Sequence, residues 1–442
     1  MIKLNPLTLK LDKEFDLLRL YSHQPDRYPF LLESVVHGTA QARFDILFAF
    51  PGQQIAVGQG DAFLSLLDDV WRCERKPLET MADLPFRGGW FLYLGYELAA
   101  EIETKLTLYP YAPLPAAFAV RMPAAVIRDH QQGATYIVCE PGSESLLSRI
   151  ADDVNGLPAN ESGEIAPPTI IGIDEDTPQQ FTQGVERIRD YIRDGDVFQV
   201  NLSRQWRVHV KRSNAEQLYR RLRQHNPAPF AALVSYQGKH IISSSPERLV
   251  RMDQNSVSVR PIAGTRPRGD NVAADQRYSE ILMSHPKERA EHVMLIDLER
   301  NDLGRVCQPG SVQVDEMMVL ESYAHVHHIV SNVIGELQPE ISPGDVIRAV
   351  FPGGTITGCP KVRCMEIIQA LEQTARGPYT GSVGYLSHCG RMDLNILIRT
   401  MLLEDSTITF RTGAGIVHDS VADNELHETR AKARGLLRAL GL

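Results

Sequence analysis

Two segments of the C-terminal half each carry a pair of glutamates three residues apart: Glu288 and Glu291 in PKERAEHVMLIDLERND, and Glu425 and Glu428 in NELHETRAKARGLLRAL. On a helix, side chains at i and i+3 share a face, so each segment presents two carboxylates in one direction. Four carboxylates facing one another repel unless a hard divalent cation lies between them. Mg²⁺ suits carboxylate oxygens together with an anionic substrate. A further acid, Glu247, lies in ISSSPERL (242–249), where a proline ends a strand and the glutamate faces whatever lies beyond.

Glycine-rich loops with basic residues surround these acids. RPIAGTRPRG (260–269) joins a glycine-broken turn to three arginines, which suits backbone amides and guanidinium groups gathered near an anion. FPGGTITGCPKVR (351–363) is a second such loop, carrying Lys361 and Arg363. GAGIV (413–417) is a third, just ahead of the Glu425 and Glu428 segment. None matches a Walker A or a dinucleotide-binding glycine pattern, so nucleotide binding is unsupported. The combination suggests a small polyanionic substrate held on a metal.

These residues need a scaffold, and the rest of the chain indicates its class. A chain of 442 residues can hold two or three average domains or one large one. A net charge of −9 argues against a nucleic-acid scaffold and leaves room for a local cationic pocket. No apolar run is long enough to cross a bilayer, and the start MIKLNPLTLKLDKEFD is charged where a signal peptide needs its apolar core. The six cysteines form no C-x-x-C pair and no zinc spacing, so free thiols in a cytoplasmic chain are expected.

Residues 154–178 are rich in Pro, Gly, Asn and acidic residues and read as a linker between regions 1–153 and 179–442. Before it, RFDILFAF (43–50), GGWFLYLGYEL (88–98) and AAVIRD (124–129) have the character of strands. After it, Thr177-Pro178 opens a helix on which Phe181, Val185, Ile188 and Ile192 recur at helical spacing, with Gly195 as its C-cap. Gln199 to Val210 alternates as a half-buried strand does. Without βαβ regularity, an α+β architecture is expected.

The ordered motifs FQVNLSR, SSSPE, PIAGTRPRG, KERAEHVMLIDLERNDLGRV, VHHIVS, GGTITGCPK, PYTGSVGY, LIRT and GAGIV resemble the chorismate-utilising enzymes that share the anthranilate synthase component I fold. FLLES (30–34), ARFD (42–45) and LPFRGG (84–89) extend the likeness into the N-terminal region. The resemblance implies a large α+β chorismate-binding fold of two packed β-sheets flanked by helices. It implies Glu291 and Glu428 as direct Mg²⁺ ligands with Glu288 and Glu425 in support, and Glu247 as the acid that protonates the leaving hydroxyl. It places His328 beside the ring, and Tyr379 and Arg399 on the enolpyruvyl carboxylate. Gly413 and Gly415, Gly264 and Thr265, and Thr355 and Lys432 complete the pocket. Leu31, Leu32, Ser34, Arg43, Phe44, Pro229 and Phe230 match the family's tryptophan pocket.

Two positions bear on the reaction. Relatives that add water carry a lysine base where this chain has Gln199, so the resemblance implies amination by ammonia. Aminodeoxychorismate enzymes usually carry a lysine at the third position of P-I-K-G-T; here it is Ala263, as in anthranilate synthases. GGTITG, the compact N-terminal region and LPFRGG point the other way. The favoured expectation is 4-amino-4-deoxychorismate as product, with anthranilate plus pyruvate as the alternative. No glutaminase elbow is present, so glutamine-derived ammonia would come from a separate amidotransferase subunit. A non-catalytic scaffold has no use for five clustered acids.

Overall fold

The computed structural model describes residues 7–36, 42–76, 84–158, 165–269, 271–322 and 326–442, with the backbone of 2–5; the side chains of Thr265 and Lys287 lie outside it. Its strands form two sheets, one of thirteen strands and one of ten among the described residues, and the pairs are antiparallel. They pack face to face through aromatic side chains. Phe30 of the larger sheet stacks on Phe91 of the smaller with ring centroids 4.0 Å apart, and Phe118 of the smaller stacks on Tyr236 of the larger at 3.9 Å. Such offset aromatic contacts add to the burial of large apolar area that holds the layers together.

Helices cover the outer faces. Ser145–Asn155, Ala215–His225 and Ala422–Leu440 pack their apolar stripes on the larger sheet. Phe63–Glu74, Pro286–Gly304 and Pro343–Val350 do the same for the smaller one. The α+β expectation of two packed sheets flanked by helices holds.

The expected regional boundaries do not coincide with the sheets. Strand Phe30–Glu33 pairs with Phe230–Tyr236, and Gly89–Leu94 pairs with Ser382–Ser387, so the described strands of 1–153 belong to sheets shared with the rest of the chain. The stretch 154–178, expected as a linker, contains strand Ile170–Glu175, which pairs with Gln199–Val210 at the edge of the larger sheet. Ile171 and Ile173 remain 67% and 46% exposed there, so this strand has no buried face to impose a legible period. Helix Pro178–Arg193 starts after Thr177 with Pro178 in its first turn, although Thr177 makes no side-chain cap bond. Asp194 is the C-cap and Gly195 follows at φ +84°, a left-handed turn that glycine adopts without strain.

Two crossovers between the sheets set the functional region. Strand Lys239–Ser245 belongs to the larger sheet and Arg248–Asp253 to the smaller, leaving Pro246 and Glu247 as the link. Beside it, Met392–Asn395 of the smaller sheet leads through 396–399 into Thr400–Glu404 of the larger. The links are zipped together: the Ile396 N–H donates to the Glu247 carbonyl at 3.0 Å, and the Ser244 N–H donates to the Arg399 carbonyl at 3.2 Å.

A buried ionic knot braces this seam. Glu372 accepts from Arg376 at 2.7 Å, from Arg411 at 2.9 Å, and from the backbone and hydroxyl of Ser203 at 2.9 and 2.8 Å. These partners overcome burial and hold its carboxyl below the usual glutamate range. Removing the charge would strand two buried guanidinium groups. Glu372→Gln is expected to destabilise the fold by about 3–5 kcal/mol, read by denaturant unfolding, whereas a loss below about 1 kcal/mol would show that the knot is dispensable.

Candidate active site

Glu247 sits at the first crossover, 6% exposed. Burial pushes its carboxyl up to about 7, against hydrogen bonds from Thr355 and the Ile262 backbone and the positive charges of Lys432 and Arg399. Thr355 lies on the short turn Gly354–Ile356 and donates its hydroxyl to Glu247 Oε1 at 2.8 Å. A carboxyl in this state is poised to give a proton near neutral pH. Arg399 ends the second crossover at φ +52°, outside the region favoured by side-chain-bearing residues. Burial lowers the pKa of its guanidinium, and Glu247 is the opposing charge that raises it.

The strand Thr407–Ile416 forms the other wall. A Cβ on Gly413 would lie 2.6 Å from Asn201 Oδ1 and 2.7 Å from the Tyr379 hydroxyl; one on Gly415 would lie 2.3 Å from Gln199 Nε2. The glycines therefore make room for Gln199, Asn201 and Tyr379. Lys432 joins the walls: its Nζ donates to the Gly413 carbonyl at 3.0 Å, and its charge acts on Glu247. Asn201 was not among the expected site residues; its signal was its place two residues after Gln199 on the same strand face.

Across the smaller sheet, His328 is 3% exposed. Burial first, then the charge of Arg399, pushes it down to about 3, so it is neutral; a hydrogen bond to the Gly264 backbone acts in the opposite sense. Gly264, at φ +74°, would carry a Cβ 3.0 Å from Glu288 Oε2. Ala263 precedes it on strand Ile262–Pro267, whose backbone pairs Thr265 with His328; the Thr265 side chain lies outside the described residues.

The four glutamates lie on the two expected helices, Pro286–Gly304 and Ala422–Leu440. Among the described residues no three His, Cys, Asp or Glu side chains are grouped closely enough to hold a metal. Cations of the chain hold them instead, Arg266 with Glu288 at 3.2 Å and Lys432 with Glu428 at 2.8 Å. Glu291 and Glu425 are half-buried and also engaged. The donors fit Mg²⁺ in type, all being hard carboxylate oxygens, but their present positions satisfy protein cations.

An unanticipated acid shares the first helix. Glu299 is 6% exposed, and burial pushes it up to about 8, with Asp302 and Glu247 adding to the rise and Lys361 opposing it. It accepts from the Gly354 N–H, in the turn that carries Thr355. Its signal was helical spacing: eleven residues separate it from Glu288, close to three full turns.

A cavity of about 590 Å³ is lined by Leu32, Ser34, Arg43, Phe44, Pro229 and Phe230, the residues expected as one pocket. Leu31 belongs instead to the core outside the cavity lining. Arg43 lies over the Phe44 ring at 4.5 Å and pairs with Asp129 at 2.9 Å. The Ser34 hydroxyl donates to the Pro229 carbonyl at 3.1 Å, joining the two lining segments. Glu33, not anticipated, is pushed by burial up to about 7 even though Arg223 opposes the rise.

Comparison with known proteins fits this geometry. An anthranilate synthase component I-like protein of Synechocystis sp. is 44% identical over 365 residues, spanning 81% of this chain and 73% of that protein. Aminodeoxychorismate synthase component 1 of Bacillus subtilis is 42% identical over 379 residues, spanning 82% and 79%. The solved anthranilate synthase component I of Streptococcus pneumoniae superposes with a TM-score of 0.79 at 32% identity, covering 91% of this chain and 93% of that one. The family described as chorismate binding enzyme matches residues 30–438, and with the fold and relatives above this chain belongs to that family.

Proposed function

We propose that this chain is the chorismate-aminating component of a two-subunit synthase and makes 4-amino-4-deoxychorismate, the precursor of p-aminobenzoate in folate biosynthesis. The observation that carries the reading is the buried Glu247, its carboxyl pushed up to about 7 by burial, held by Thr355 and joined through Lys432 to a wall bearing Gln199. Glutamine cannot take a proton from water, but it can hydrogen-bond ammonia, which already has a nucleophilic lone pair. In the proposed reaction a C–N bond forms at the ring and the ring C4–O bond breaks. Glu247 gives its proton to the departing hydroxyl, which leaves as water. The surplus proton on the new nitrogen returns to the Glu247 carboxylate, restoring the acid.

In this reading Tyr379 and Arg399 grip the enolpyruvyl carboxylate and neutral His328 packs beside the ring. Glu291 and Glu428 would hold Mg²⁺ directly, with Glu288 and Glu425 through water, and the ion would supply a Lewis acid for the ring carboxylate. Ammonia would arrive from a separate glutamine amidotransferase subunit. Among the described residues no helix is long and apolar enough to cross a membrane, and we place the chain in the cytoplasm.

Ala263 favours a second reading. Without a lysine there, ammonia must attack the ring itself, and attack at C2 followed by loss of pyruvate gives anthranilate. The GGTITG loop and LPFRGG segment support the first reading. With chorismate, Mg²⁺ and ammonium salt, we expect a product that retains its enolpyruvyl group, so that pyruvate appears only after a lyase is added. Chelation of the metal should abolish turnover. Pyruvate released with fluorescent anthranilate by this chain alone would replace the first reading with the second, and turnover unchanged by chelator would remove the metal.

The 590 Å³ cavity would take tryptophan, with Phe44 and Phe230 against the indole and Glu33 and Arg43 near its charged end. Ligand bound only to the native state raises stability by mass action, about 2.7 kcal/mol at a hundredfold excess over Kd. Thermal unfolding with tryptophan should shift upward while activity persists. No shift at millimolar tryptophan would leave FLLES as an ordinary buried strand.

A further inference from the structure

Gln199 and Asn201 lie two residues apart on strand Gln199–Val210 and therefore point to one side of it, over Gly415 and Gly413. Each side chain ends in a carbonyl oxygen, Gln199 Oε1 and Asn201 Oδ1, that is sealed from solvent and has no hydrogen-bond partner among the described residues. The main chain around them is tied down. The Asn201 N–H donates to the Thr357 carbonyl at 2.9 Å, and the Asn201 carbonyl accepts from Arg376 Nη2 at 2.8 Å. The Gln199 carbonyl accepts from the Cys364 thiol at 3.1 Å. The two side-chain oxygens are buried acceptors that this network leaves unused.

A buried acceptor without a donor is costly and uncommon, and two side by side on one face call for a ligand that brings donors to both. Chorismate is a poor match for two acceptors, because its carboxylates and ether oxygen are acceptors and its one donor, the 4-hydroxyl, is the group that Glu247 protonates. The Tyr379 hydroxyl reaches the same spot over Gly413 without bonding to Asn201 Oδ1. Ammonia has three N–H bonds and keeps its lone pair when two of them are held. The strand rise places the two side chains about 7 Å apart at their backbones, and their ends lie over Gly415 and Gly413, so the two oxygens must turn toward each other to within about 6 Å for one nitrogen to donate to both.

We propose that Gln199 Oε1 and Asn201 Oδ1 together form the ammonia subsite, each accepting one N–H and leaving the lone pair free to attack the ring. This rests on the amination reading above. Asn201 is the new element: an apolar residue there would leave ammonia one anchor and free rotation about it.

The test measures initial rates with ammonium chloride as nitrogen source and Mg²⁺ present, varying ammonium and chorismate separately. Loss of one hydrogen bond predicts that Asn201→Ala raises KM for ammonium roughly tenfold or more while KM for chorismate stays within about twofold. Asn201→Asp keeps an acceptor of the same shape and should hold KM for ammonium within a few-fold of the original chain, also serving if the alanine variant folds poorly. A raised KM for chorismate with ammonium unaffected would overturn the proposal and assign Asn201 to chorismate. Equal defects in both variants, or none in either, would overturn it as well. Failure of the amination reading is distinguishable, because the unsubstituted chain would then consume chorismate without giving any aminated product.

Discussion

Glu247 has to lose its water because the chain crosses between two packed sheets at that residue, and the cost of that burial shapes its surroundings. Six per cent exposure raises the carboxyl to about 7, while Thr355, the Ile262 backbone, Lys432 and Arg399 limit the rise. Kept neutral, the group sits in the seam at little expense. Ionised, it opposes folding, and the sign follows from linkage. Its folded pKa lies above the ordinary 4.5, so the associated stability is fully present below about pH 4.5 and lost as pH rises through about 7. That shift corresponds to about 3 kcal/mol at most. Neighbouring Glu299 shows the same response to burial.

The seam tolerates this because buried, hydrogen-bonded charges brace it. Arg376 donates to Glu372, to the Asn201 carbonyl at 2.8 Å and to the Ile356 carbonyl at 3.3 Å, so one guanidinium fixes both the Gln199 strand and the Thr355 turn. Its face also lies 5.4 Å from the centre of the Tyr379 ring. Breaking such a pair leaves an uncompensated buried charge, which is why the rigid part of the site is ionic. The outer acids are held differently. Lys432 and Arg266 neutralise Glu428 and Glu288 at partly exposed positions, where ion pairs contribute little and exchange readily.

Strand Gln199–Val210 was legible because its register and alternation are local, and so was helix Pro178–Arg193, whose apolar stripe meets the core. The pocket expected around Ser34 and Phe230 was legible only through family motifs, since the Ser34 to Pro229 contact joins residues 195 apart in sequence. Strand Ile170–Glu175 was missed because pairing, not burial, makes it a strand. Glu299 and Glu33 were missed because a glutamate on a helix or strand face is usually solvated, and only tertiary packing reveals it as buried. The two helices that carry the four glutamates were legible from sequence, but the placement of their side chains between helices is set by neighbouring cations and any bound ion, which the i, i+3 spacing does not contain.

The direct test of this account is the protonation state of Glu247 itself. Infrared difference spectra between the unsubstituted chain and Glu247→Gln, recorded from about pH 5 to about pH 9, isolate that one carboxyl. The account predicts a protonated carbonyl band at low pH that disappears with a midpoint near the value of about 7 set by burial. A carboxylate already ionised at about pH 5, or a band unchanged across the range, would contradict it.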